Sequence, residues 1–137
     1  MTGTSSLATG APILRVARPT NNIEALLPFY RDGLGLEVLY RFEDHNGFDG
    51  VMLGHLGFPY HFEFTHLRGH LVAGAPSPDN LLVFYLPDLG MWQQAVDRMR
   101  QHGFEPIVAY NPYWDKHGLT FEDEDGYRVV LQQGEWR

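Results

Sequence analysis

The 137-residue chain contains no cysteine. Disulfide bonds, thiolate nucleophiles and thiolate metal ligands are therefore excluded, which suits a cytoplasmic setting. It has no basic run either: 10 Lys and Arg stand against 17 Asp and Glu, a formal charge of −7. Neutralising phosphates needs the opposite balance, so neither nucleic acid nor an anionic membrane is an expected partner. No apolar stretch approaches the roughly 20 residues of a membrane span. Residues 1–12 are small and polar without an apolar h-region, and read as a loose tail rather than a signal peptide. Gly-rich phosphate loops and a Ser/His/Asp arrangement are also missing.

What is present is an ordinary globular mixture, 44% hydrophobic and 20% charged. A chain of this length buries roughly two-thirds of its unfolded surface, enough for one structural domain. Residues 13–17 read as a short strand interrupted by Arg15. Asn21 and Glu24 have capping-box spacing, and Ile23, Leu26, Leu27 and Tyr30 follow at helical spacing. Pro28 lies inside that helix and predicts a kink or a short first turn, because it removes a backbone donor. Leu36, Val38, Tyr40 and Phe42 alternate with Glu37, Arg41 and Glu43, the pattern of a half-buried strand. Asn46-Gly47 is a hairpin turn leading to a strand at 48–53.

The strand Tyr60-His61-Phe62-Glu63-Phe64-Thr65-His66 has two unlike faces. His61, Glu63 and Thr65 share one; Tyr60, Phe62, Phe64 and His66 share the other. The aromatic face suits a core, and the polar face suits water, a metal or a ligand. Residues 67–79 turn to Gly, Ala, Pro and Ser without a period and read as a linker. Residues 80–86 form a nearly all-apolar strand, buried on both sides or covered by a helix. Pro87-Asp88 opens a helix carrying Trp92, Ala95, Val96 and Met99, and His102-Gly103 closes it. A strand over 105–109, a loop over 110–117 and a final hairpin of 118–122 with 127–133 complete the chain. The acidic run 122–125 reads as a solvated turn.

The order strand-helix-strand-strand-strand thus occurs twice. Gly35-Leu36-Glu37 answers Gly103-Phe104-Glu105 and Pro19 answers Pro87, each pair 68 residues apart. A repeat of that length is a unit that buries its face against its copy. The expected fold is α+β, with modules at 13–66 and 80–133, a linker at 67–79 and tails at 1–12 and 134–137.

In this order, Phe29-Tyr30-Arg31-Asp32-Gly33-Leu34-Gly35-Leu36-Glu37 and Glu122-Asp123-Glu124-Asp125-Gly126-Tyr127-Arg128 resemble two phrases of the vicinal oxygen chelate superfamily, which includes glyoxalase I, bleomycin-resistance proteins and extradiol dioxygenases. The resemblance covers residues 13–133. Within it, His61 to Thr65 together with Asn111-Pro112-Tyr113-Trp114 is similar to a YycE-like branch. The resemblance implies two tandem βαβββ modules forming curved mixed sheets around a cup, with the helices outside. It places the metal-ligand positions of metal-dependent members on Arg15, Glu63, Leu81 (Asn80 if the register slips by one) and Val130. Only Glu63 is a ligand there, and Arg15 carries a permanent positive charge that repels an ion. The inherited metal site is therefore expected to be lost.

Two classes stay open. The first is a metal-independent small-molecule binder similar to the bleomycin-resistance proteins, taking a polar or cationic aromatic ligand and needing no cofactor. In it Arg15 and Glu63 pair across the floor of the cup beside His61, and Tyr113 and Trp114 stack on the ligand or sit at an interface. The second is a metal-dependent lyase, isomerase or dioxygenase whose rearranged site uses His61 and Glu63, completed by His66, His70 or His117. Glu63 is the best candidate for a catalytic residue. A homodimer is expected because short chains of this superfamily complete their cups by pairing; a module without a ligand is the third, blander possibility.

Overall fold

A computed structural model describes residues 10–137. Residues 1–9 of the expected tail lie outside the described part. The architecture is α+β, with two mixed sheets of four and three strands and two α-helices. Its residues cluster into two compact units. One holds the described residues through Ile23 together with Leu36–Val72; the other holds Glu24–Gly35 and Ala73–Arg137. No helix among the described residues is long and apolar enough to cross a membrane.

The first unit is built on β1 (Leu14–Pro19), β2 (Glu37–His45), β3 (Phe48–Gly54) and β4 (Tyr60–Leu67), in the order β1-β4-β3-β2. β1 runs parallel to β4, and the other neighbours are antiparallel. Asn46 and Gly47 both have positive φ, 53° and 86°, the paired left-handed geometry of a tight hairpin whose twist matches its strands. The aromatic face of β4 is core, as its alternation implies: Phe62 and Phe64 are buried with Val51 and Leu53 of β3. Asn21 does not cap a helix. Its side chain donates to the Val72 carbonyl and accepts from the Val72 amide, at 2.9 and 2.8 Å, tying the end of this unit to its beginning.

β2 departs from expectation. Its register shifts between Val38, opposite Leu53, and Tyr40, opposite Met52. One extra residue in β2 sends side chains two positions apart to opposite faces. Tyr40 is therefore 59% exposed rather than part of the core stripe. Tyr40 and Phe42 lie on the face that carries Met52 and Glu63.

In the second unit, α1 (Ile23–Leu27) opens in the first unit and passes after five residues into a π-helical turn, Pro28–Gly33. Proline has no N–H for the α-helical ladder, so hydrogen bonding resumes one residue wider, with the Leu34 amide on the Phe29 carbonyl at 2.9 Å. Gly33 lets this turn meet α2 (Leu89–Gln101); a Cβ there would lie 2.8 Å from Met99 Sδ and 3.3 Å from the Phe104 ring. Asp88 caps α2 by accepting from the Met91 amide at 2.9 Å, and Arg98 and Arg100 lie in the last turn, where cations suit the helix dipole. Asp88→Ala is expected to cost about 1 kcal/mol in urea denaturation; an unchanged midpoint would show that the cap contributes nothing.

The second sheet has the order β5-β7-β6, from β5 (Leu81–Tyr85), β6 (Gly118–Glu122) and β7 (Arg128–Gln132). Trp92 of α2 donates its indole N–H to the Leu131 carbonyl at 2.9 Å, and Val96, Met99, Phe121, Val129 and Leu131 are buried. The strand expected at 105–109 is reduced to a single bridge, Ile107 to Thr120. Pro106 has no donor to offer a ladder, and the Ala109 amide turns to the Asp115 carboxylate at 3.2 and 3.3 Å.

The acidic turn is not wholly solvated. Asp123 is buried and accepts from the Tyr30 hydroxyl at 2.6 Å and from the Asp125 and Tyr127 amides at 2.8 and 3.0 Å. Burial raises its carboxyl above the usual range against the opposing pull of these three donors.

Candidate functional site

The polar residues of β1 and β4 meet on the open face of the first sheet. Arg15 lies opposite His61 and Ala17 opposite Glu63 in the parallel pair. Across β3, Gly54 lies opposite His61, Met52 opposite Glu63 and Gly50 opposite Thr65. β2 adds Tyr40 opposite Met52 and Phe42 opposite Gly50. Directly opposed residues share a face, so a polar corner of Arg15, His61 and Glu63 grades into a row of Met52, Tyr40 and Phe42.

Two glycines shape this surface. A Cβ at Gly54 would come within 2.9 Å of His61 Cβ, so glycine gives that imidazole its room. A Cβ at Gly50 would run into the Phe42 ring, which lies flat across β3 at that point. Tyr40 and Phe42 rings are 6.4 Å apart and tilted by 36°.

The polar corner is organised around one guanidinium. Arg15 donates from Nε to His61 Nε2 at 2.9 Å. Its Nη2 donates to Met52 Sδ at 3.6 Å, and its Nη1 stands 3.8 Å from Glu63 Oε1. Because His61 Nε2 accepts, a neutral imidazole here carries its proton on Nδ1. The Glu63 side chain is 15% exposed and that of Arg15 45% exposed, so the carboxylate is sheltered while the cation reaches solvent.

The other candidates lie elsewhere. His66 turns away from Glu63 and donates from Nδ1 to the Thr20 carbonyl at 3.0 Å. His70 Nδ1 meets the Arg68 carbonyl at 3.2 Å. Tyr113 and Trp114 belong to the second unit, in a 3₁₀ turn, Pro112–Asp115, capped by Asn111. Their rings stack edge to face at 4.9 Å, and Tyr113 is exposed. A cleft of about 310 Å³ beside that turn is lined by Leu89, Trp92, Lys116, His117, Leu119 and Gln133. Leu81 and Val130, at the two remaining positions, offer no donor atom, and Asn80 donates to the Ser77 carbonyl at 3.3 Å.

Among the described residues, no group of three or more His, Cys, Asp or Glu side chains could hold a metal ion. The chemistry of the donor set agrees, since a fixed cation stands among the nitrogen, oxygen and sulfur atoms that an ion would need. The residues present therefore do not fit a bound divalent ion. Sequence reasoning missed Met52, Tyr40 and Phe42 as part of this face. The only available signal was the thioether in β3 and the aromatic pair in β2, and both also suit a core.

Comparison with known proteins bears on the fold and the family. Residues 14–65 match the YycE-like N-terminal domain and residues 79–133 the YycE-like C-terminal domain. The chain is 41% identical over 118 residues to the uncharacterized protein YycE of Bacillus subtilis, covering 86% of this chain and 85% of that one. A crystal structure of a YycE protein of unknown function from Bacillus subtilis superposes with a TM-score of 0.84 at 38% identity, covering 93% of each chain. At lower identity the likeness is one of fold. The fosfomycin resistance protein FosX from Listeria monocytogenes, in complex with Mn(II) and a dihydroxypropylphosphonic acid, gives a TM-score of 0.65 at 12% identity, over 89% of this chain and 91% of that one. The antibiotic binding protein TnmS3 from a Streptomyces species gives 0.62 at 17%, over 90% and 95%.

Proposed function

The chain belongs to the YycE-like family of the vicinal oxygen chelate superfamily, and from that premise we propose that it binds a small polar aromatic molecule without a metal ion. The observation that carries the reading is the Arg15–His61–Glu63 corner beside Met52, Tyr40 and Phe42. Arg15 supplies donors to a ligand oxygen. Glu63 accepts from a ligand N–H, O–H or ammonium group. The half-exposed aromatic row supplies a stacking surface. TnmS3, which has a similar fold, is an antibiotic binding protein, a role of the same kind. We propose Tyr113 and Trp114 as further ligand or interface contacts, on the exposure of Tyr113 and the stacking of the two rings.

The test is a thermal-shift panel on chelator-treated protein, using phenol, catechol, benzamide, tyramine and benzamidine. At least one of these polar aromatics is expected to raise the melting temperature in metal-free buffer. A shift that appears only after Mn(II) or Zn(II) is added back would contradict the proposal. We also propose a homodimer, supported by Ile13, Leu14, Leu56 and Phe58, which are 63%, 59%, 85% and 50% exposed in the same unit. Light scattering that returns the monomer mass at micromolar concentration would contradict it.

A further inference from the structure

Three side chains of the first sheet set three kinds of donor atom around one guanidinium: an imidazole nitrogen of His61, a carboxylate oxygen of Glu63 and the thioether sulfur of Met52. Nitrogen, oxygen and sulfur are also the donor atoms that hold transition-metal ions. Here these atoms surround the Arg15 guanidinium instead. We infer that Arg15 is a built-in cation that takes the place of a divalent ion on this face, engaging its donors and turning its remaining N–H groups toward ligand oxygen. The inference rests on the metal-independent reading above and names what replaces the metal.

The replacement follows from the bonding. The lone pair of His61 Nε2 accepts from Arg15 Nε at 2.9 Å, and a metal ion would need that same lone pair. A guanidinium does not lose its proton in a protein, so its charge cannot step aside for an incoming cation. Of the five N–H groups of a guanidinium, one is bonded to His61 and one to Met52, and Nη1 stands 3.8 Å from Glu63, beyond hydrogen-bond reach, so N–H groups remain for a ligand. Two N–H groups on one rigid plane suit two neighbouring oxygens of one molecule, such as a catechol or a carboxylate. Charge complementarity with Glu63 keeps the corner close to neutral, so a full anion is not required.

Strand register supplies the test. Position 15 lies opposite position 61 and one residue pair from Glu63 on the same face. Arg15→His removes the cation and adds a third nitrogen or oxygen donor there; Arg15→Met removes the cation and adds no nitrogen or oxygen donor. Each protein, stripped with chelator, is titrated with Co(II) and followed by calorimetry and by visible absorption. The wild type is expected to take up no ion. Arg15→His is expected to bind one Co(II) per chain at least tenfold more tightly than Arg15→Met, and to lose it when Glu63→Ala is added. Folded Arg15→His that binds no Co(II), beside a metal-free wild type, would overturn this inference alone. Stoichiometric Co(II) on the wild type would overturn the metal-independent reading as well. Should Arg15→His fail to fold, nitrogen NMR of the wild type decides. His61 Nε2 should be unprotonated and coupled through the hydrogen bond to the Arg15 Nε–H, and Zn(II) should leave that signal in place. Its loss on adding Zn(II) would overturn the inference.

Discussion

Glu63→Ala is expected to remove about half or more of the ligand-induced stabilisation while leaving the fold intact. A charge-assisted hydrogen bond contributes about 1.5–3 kcal/mol, so affinity should fall roughly 10- to 100-fold. At a ligand concentration of about 100 times the dissociation constant, binding stabilises the folded state by about 2.7 kcal/mol, and about half of that gain (about 10-fold weaker) to most of it (about 100-fold weaker) should vanish. The unliganded protein should change by less than about 1 kcal/mol, because Arg15 is 45% exposed and water replaces its partner. Thermal shift with the best compound of the panel measures both numbers. An equal shift in the variant and the wild type would remove Glu63 from the site.

Tyr30→Phe is expected to destabilise the second unit by about 1–3 kcal/mol at neutral pH, the cost of leaving a buried acceptor without its donor. Tyr30 is fully buried and its hydroxyl is bonded to Asp123 Oδ2 at 2.6 Å. The pH dependence has a definite sign. The Asp123 carboxyl is raised above its unfolded value, about 3.9, chiefly by burial. The folded state therefore holds its proton more tightly than the unfolded state. The contribution of this group to stability is present in full below the unfolded value and is lost as pH rises through the folded value. Removing the Tyr30 donor raises the carboxyl further, so the variant should lose more stability at pH 7 than at about pH 4. Asp123→Asn should flatten the slope, since an amide has no charge to bury. Urea denaturation across that range is the measurement. A Tyr30→Phe loss equal at both ends would mean that the Asp123 charge is not felt there.

Much of the fold could be read from local chemistry. Asn46-Gly47, the Asp88 cap and the final hairpin are decided by residues a few positions apart, so a sequence window contains their causes. The phase of the repeat also brings Arg15 and Glu63 to neighbouring strands on one face, because alternation fixes the face once the strands are paired. Four features were hidden because their causes lie between distant residues. The bulge between Val38 and Tyr40 depends on which β3 residue each one meets, and it moved an apolar stripe from core to open surface. Asp123 reads as a solvated acid until Tyr30, 93 positions earlier, supplies its donor. The strand at 105–109 has strand-like residues but loses its ladder to Pro106 and Asp115. Met52 is an ordinary apolar residue until its sulfur is placed 3.6 Å from Arg15 Nη2.

The central claim is that the Arg15–His61–Glu63 face works without a metal ion. Elemental analysis of the protein, purified without chelator, tests it most directly. The account predicts far less than one divalent ion per chain, in wild type and Glu63→Ala alike. A stoichiometric ion that disappears in Glu63→Ala would contradict it.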